Sequence, residues 1–105
     1  MTAEEFDAAL KDAGVVFVEF YTDRAPPKAP VLDELAAEFA APAGTAGAAP
    51  VVIARFNLSR ARAKAREHGI KNVPTFVVFK NGIALSTFVG VRSKAVFADA
   101  IQSAR

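Results

Sequence analysis

The chain has 105 residues, of which 52% are hydrophobic, so it is long enough to bury one core and too short for two. We therefore expect a single domain over residues 1–105. Its 13 Lys and Arg residues against 11 Asp and Glu give a formal net charge of +2, too weak a field to indicate a particular partner. The absence of cysteine excludes disulfides, thiolate nucleophiles and thiolate metal ligands.

The first elements along the chain are predicted to be a helix, a strand and a second helix. Thr2 and Glu5 match the capping box that starts a helix, and this helix ends before Gly14. The run 15–21 is short, apolar and β-branched, which is typical of a central strand buried on both faces. Pro30 fits the first turn of the second helix. The apolar face of that helix comprises Val31, Leu32, Leu35, Ala36 and Phe39.

The middle of the chain is predicted to cross over to a second strand. The segment 40–50 is rich in Ala, Gly and Pro, which indicates a surface connection. Val51 to Phe56 is predicted to be a second buried strand. A helix with Ser59 near its start and Gly69 just past its end follows it.

The last part of the chain is predicted to form a hairpin and a helix. Asn81-Gly82 suits a two-residue type I′ turn between the strands Thr75 to Lys80 and Ile83 to Val89. An amphipathic helix begins near Ser93. The predicted fold is therefore α/β, with helices on both faces of a mixed four-stranded sheet, in the order βαβ-α-ββ-α after an N-terminal helix.

Two anchors in the sequence resemble the thioredoxin family. Val73-Pro74-Thr75 followed by F-V-V-F-K-N-G at 76–82 is similar to the segment in which the family's cis-proline precedes a strand ending in a Lys-Asn-Gly hairpin. In the first half, V-E-F-Y at 18–21 and P-V-L-D-E-L-A at 30–36 stand where the family has V-D-F-W and P-I-L-D-E-I-A. The resemblance covers nearly the whole chain and implies a thioredoxin fold.

The chain departs from the family at the catalytic turn. Where the family has W-C-G-P-C-K, this sequence has the shorter segment Arg24-Ala25-Pro26-Pro27-Lys28. A laboratory replacement of cysteines would have kept the length, so we infer natural loss of the motif. Dithiol exchange requires a thiolate, and this chain supplies none.

Two further departures concern charge and the sheet edge. The family's buried Asp and its neighbouring Lys are replaced by Glu19 and Arg55, for which we expect a structural charge pair. The family has an additional strand before its first helix, whereas this sequence begins almost directly at a helix. The strand Val51 to Asn57 is then predicted to be an exposed edge of the sheet. A second copy of the chain or a strand of a partner protein could pair with this edge.

The resemblance and the missing cysteines together predict a redox-inactive interaction module that binds a protein or peptide. The candidate surface is Val73 and Pro74 with the apolar turn of Ala25, Pro26 and Pro27. One alternative is a cysteine-free enzyme or glutathione-binding protein, since glutathione transferases hold glutathione beside a cis-proline of the same fold. A second alternative is a protein that is similar to thioredoxin and takes part in redox homeostasis without dithiol activity. A third is a domain with a purely structural role.

The remaining polar residues carry weaker signals. His68 is the only histidine, which excludes a multi-histidine zinc site, and we expect it to complement a helix dipole. Arg60, Arg62, Lys64 and Arg66 split onto opposite flanks of a solvated helix, so nucleic-acid binding is not expected. No catalytic residue, metal ligand or cofactor motif is recognisable.

The sequence has no signal for a membrane or an export pathway. No N-terminal segment has the composition of a signal peptide, and no apolar run approaches the roughly 18 residues of a membrane span. We therefore expect a cytoplasmic protein without a membrane partner.

Overall fold

A four-stranded sheet organises the molecule, seen in a computed structural model that describes residues 2–12, 14–24, 30–39 and 51–105. Its strands are β1 (Val15–Tyr21), β2 (Val51–Asn57), β3 (Thr75–Lys80) and β4 (Ile83–Val89). They lie in the order β2-β1-β3-β4, with β1 and β2 parallel and the other two pairs antiparallel. The mixed sheet with a central first strand is therefore confirmed.

Helices pack against both faces of this sheet, as predicted. They are α1 (Ala3–Asp12), α2 (Val31–Phe39), a single 3₁₀ turn (Leu58–Arg60), α3 (Arg62–Glu67) and α4 (Lys94–Ala104). One core cluster joins α2 and α4 to the sheet, and a second joins α1 and the α3 region to the opposite face. No helix in the described part of the chain is both long and apolar enough to cross a membrane.

Local signals in the sequence correctly mark two element boundaries. At the start of α1 the Thr2 N–H donates to Glu5 Oε1 at 2.9 Å, and the Glu5 N–H donates to Thr2 Oγ1 at 3.1 Å. Between β3 and β4, Asn81 and Gly82 have φ values of 52° and 82°, which a type I′ turn requires at both positions.

Burial of β2 differs from the prediction. Val51 to Arg55 are half-buried, and only Phe56 in this strand is fully buried. The reason is position, because β2 pairs with β1 alone among the described strands and lies at the sheet edge. Pairing of this edge with a second copy stays a prediction.

Two other predictions are wrong in detail. Ala36 is exposed, because the stripe that α2 buries is Val31, Leu32, Leu35 and Phe39, and Ala36 lies beside it. The crossover helix is interrupted at Ala61, whose φ of −143° separates the 3₁₀ turn from α3. The Asn57 side chain accepts from the Ser59 N–H at 2.8 Å, which favours a tight turn directly after β2.

His68 follows α3, but its ring belongs to the core. The imidazole contacts Phe6 and Phe79 edge-on, with ring centroids 5.3 and 5.4 Å away. Its Nε2 is buried without a hydrogen-bond partner among the residues that the structure describes. Packing therefore accounts for this histidine better than the helix dipole does.

Candidate functional site

A cavity of about 540 Å³ opens where three separate segments meet. The turn after β1, the first turns after β2 and the loop before β3 form its walls. The residues lining it are Thr22, Asp23, Arg24, Leu58, Ser59, Arg62, Ala65, Ile70, Lys71, Asn72 and Val73. Its volume lies within the ~300–1,000 Å³ range of small-molecule sites in proteins.

The loop before β3 brings Val73 to this cavity. The Val73–Pro74 peptide bond is cis, and both residues are half-buried. The Gly90 N–H donates to the Pro74 carbonyl at 2.9 Å, which ties the loop to the end of β4. Thr75 Oγ1 also donates to the Asn72 carbonyl. Hydrogen bonds on both sides of Val73, at Asn72 and at Pro74, therefore fix this part of the cavity wall.

A small hydrogen-bond network joins the turn after β1 to the end of β2. The Asp23 N–H donates to Ser59 Oγ at 2.8 Å, and Asn57 Nδ2 donates to Asp23 Oδ1 at 2.8 Å. Because Asn57 also accepts from the Ser59 N–H, the three residues close a ring of contacts. This network holds two cavity-lining residues, Asp23 and Ser59, in fixed positions.

The charges around the cavity are mainly positive. Arg24, Arg62 and Lys71 line it, and all three are exposed. Within residues 2–12, 14–24, 30–39 and 51–105, none of these cations forms an ion pair. Asp23 is the one acidic residue among the described residues of the lining. The cavity can therefore attract an anion without first breaking a salt bridge within the described structure.

The predicted charge pair of Glu19 and Arg55 lies elsewhere, beneath α2. Arg55 Nε donates to Glu19 Oε1 at 3.1 Å, and Arg55 Nη1 lies 3.7 Å from Asp33 Oδ1. The Glu19 side chain is 1% exposed, whereas that of Arg55 is 34% exposed. Burial raises the pKa of Glu19, and the hydrogen bond and charge of Arg55 oppose that rise. Neither residue lines the cavity.

The structure brings together only part of the predicted binding surface. Val73 lines the cavity, while Ala25, Pro26 and Pro27 lie outside the described residues. The basic and acidic residues of the lining have no motif that joins them in sequence. Arg62 belongs to the basic run that was predicted to be a solvated helix, and Lys71 stood in no predicted site.

Comparisons with known proteins agree on one family. The family model described as Thioredoxin matches residues 1–103. A thioredoxin of Chlamydia caviae is 28% identical over 97 residues, which cover 90% of this chain and 85% of that protein. A thioredoxin of Haemophilus influenzae is 37% identical over 73 residues, which cover 70% of this chain and 61% of that protein.

A solved structure supports the same assignment at the level of the fold. A mutant thioredoxin from Halobacterium salinarum NRC-1 superposes with a TM-score of 0.79 at 26% identity. The match covers 98% of this chain and 85% of that one. The predicted resemblance and fold are confirmed. The prediction of an interaction module is wrong, because these relatives are thioredoxins and none is an interaction module by name.

Proposed function

Because the chain belongs to the thioredoxin family but contains no cysteine, we propose that it has a thioredoxin-like role in redox homeostasis in which a bound small thiol supplies the reacting sulfur. One observation carries this proposal. Residues 22–24, at the start of the turn where the resemblance places the family's cysteines, line the same cavity as Val73, which precedes the cis-proline. That one cavity borders both the beginning of this turn and the residue before the cis-proline supports the proposal.

The chemistry needs no sulfur atom from the protein. The thiolate of the bound ligand attacks one sulfur of a disulfide, a mixed disulfide forms, and the other sulfur leaves as a thiolate that takes up a proton. A second molecule of the thiol then attacks the mixed disulfide, which yields the oxidised form of the ligand and a second free thiol. The protein contributes binding and orientation.

The side chains around the cavity suit this task. A positive environment stabilises a thiolate and attracts an anionic thiol, and Arg24, Arg62 and Lys71 make the lining of the cavity positive. Leu58, Ala65 and Ile70 offer an apolar surface for the uncharged part of a ligand. Glutathione is the natural candidate, since it is the main soluble thiol of the cytosol, and a cytoplasmic location is part of the proposal.

Glutathione is expected to raise the melting temperature of the protein. A ligand that binds only the folded state stabilises it by RT ln(1 + [L]/Kd), so a concentration ten times Kd raises Tm by about 6 °C in a domain of this size. The measurement is differential scanning fluorimetry with increasing glutathione at constant pH and ionic strength.

2-Mercaptoethanol at the same concentrations is the matched control. It carries a thiol but no charge, and the chain has no disulfide that it could reduce. A rise with glutathione alone supports the proposal. Equal shifts with both thiols, or no shift at millimolar glutathione, would contradict it.

A further inference from the structure

The cavity has a charge pattern that specifies more about its ligand than the presence of a thiol. Three cations, Arg24, Arg62 and Lys71, come from three different segments of the chain and line one space. Asp23 supplies the one carboxylate among the lining residues that the structure describes. A complementary ligand carries at least two negative groups and one positive group.

The fold keeps the carboxylate of Asp23 in place. Asn57 Nδ2 donates to Asp23 Oδ1, and the Asp23 N–H donates to Ser59 Oγ, each at 2.8 Å. The second carboxylate oxygen has no hydrogen-bond partner among the described residues, and the side chain is exposed. Asp23 can therefore accept a hydrogen bond from a ligand ammonium group without losing its own anchor.

The lining also contains an apolar surface. Leu58 is buried, while Ala65 and Ile70 are half-buried, and all three line the same cavity as the basic residues. A ligand made only of charged groups would leave this surface without a partner. A molecule that carries its charged groups on an uncharged body fits better.

We infer that the cavity binds a small zwitterionic dicarboxylate with an uncharged body, with Arg62 and Lys71 on its carboxylates and Asp23 on its ammonium group. This inference deepens the proposed function, on which it rests, by naming the ligand class and the residues that recognise it. Arg24, which also lines the cavity, adds to its positive field. Recognition depends on the charges of the ligand and not on its sulfur.

The test uses S-methylglutathione, which keeps the charges of glutathione but has no free thiol. Its binding to the full chain is measured by isothermal titration calorimetry at low salt. The variants Arg62→Gln and Lys71→Gln are each expected to weaken binding about tenfold, since each removes a charge-assisted hydrogen bond. Arg66→Gln is the matched control, because Arg66 lies on the same helix, is exposed and does not line the cavity.

Asp23→Asn tests the second half of the inference. Asparagine keeps the Oδ1 acceptor for Asn57 but removes the negative charge. We expect S-methylglutathione to bind about threefold more weakly to this variant and citrate, which has no ammonium group, to bind about threefold more tightly. Parallel changes for the two ligands would overturn the assignment of the ammonium group to Asp23.

The outcomes separate this inference from the proposed function. If S-methylglutathione binds and the cavity variants weaken it, the site stands even where glutathione supports no redox activity. If glutathione acts but Arg62→Gln and Lys71→Gln behave like Arg66→Gln, the inference is overturned and the proposed function is not. Absence of S-methylglutathione binding to the unaltered protein also overturns the inference.

Discussion

Replacement of Phe6 by alanine is expected to lower the free energy of unfolding by about 3–5 kcal/mol. The Phe6 ring is fully buried, and its centroid lies 5.0 Å from that of Phe56 and 5.7 Å from that of Phe20. It also contacts Phe79 and His68, so it connects α1 with β1, β2 and β3. Truncation removes these contacts and leaves a cavity that the rigid sheet cannot close.

Urea denaturation followed by circular dichroism measures this loss. Because small domains are stable by only about 5–15 kcal/mol, the variant is expected to be partly unfolded at 37 °C. Phe88→Ala is the control, since Phe88 is half-buried and its ring contacts that of Phe97 in the other cluster. A loss for Phe6→Ala no larger than that for Phe88→Ala would show that α1 is not held in the way described.

Replacement of Arg55 by methionine is expected to lower the free energy of unfolding at pH 7 by about 2–3 kcal/mol. Removing one partner of a buried ion pair costs about 3–5 kcal/mol, and we lower this figure because Arg55 is one-third exposed. The cost arises at Glu19, whose carboxylate is 1% exposed and loses its counter-charge. The double variant Glu19→Gln with Arg55→Met is expected to recover most of the stability, because no charge then remains buried.

The pH dependence of stability provides a second readout of the same pair. Burial raises the folded-state pKa of Glu19 above its ordinary value of 4.5. At a pH between 4.5 and this raised pKa, the folded state therefore binds more protons than the unfolded state. The contribution of Glu19 to stability is therefore full below pH 4.5 and is lost as the pH rises through the raised value. Arg55→Met raises this pKa further and extends the window upward.

Denaturation curves at several pH values measure this dependence. The loss of unfolding free energy caused by Arg55→Met is expected to shrink as the pH is lowered. Glu19→Gln is expected to remove the part of the pH dependence of stability that arises from the titration of Glu19. A loss that is the same at pH 4 and pH 8 would contradict a charged Glu19 as its origin.

Features that depend on neighbouring residues in the chain could be predicted from the sequence. The capping box of Thr2 and Glu5 and the turn of Asn81 and Gly82 require particular residues at nearby positions, whatever the rest of the fold does. The continuous apolar run of β1 likewise predicted a strand buried on both faces. The pairing of Glu19 with Arg55 followed from the family resemblance.

Features that depend on the assembled sheet could not be predicted in the same way. The apolar residues of β2 by themselves indicated a buried strand, and its position at the sheet edge, where a strand is covered on fewer sides, was expected only from the family resemblance. The cavity was missed because Asp23, Arg62 and Lys71 come from three different segments of the chain and each is an ordinary surface residue by itself. Only the fold places them around one space.

The rate of glutathione-dependent disulfide reduction tests the central claim most directly. Reduction of bis(2-hydroxyethyl) disulfide is followed with and without the protein, in parallel with reduction of insulin by dithiothreitol, which tests for a protein dithiol. We predict a rate that rises with protein concentration and saturates with glutathione, together with no acceleration of insulin reduction. A rate equal to that of glutathione alone would contradict the account.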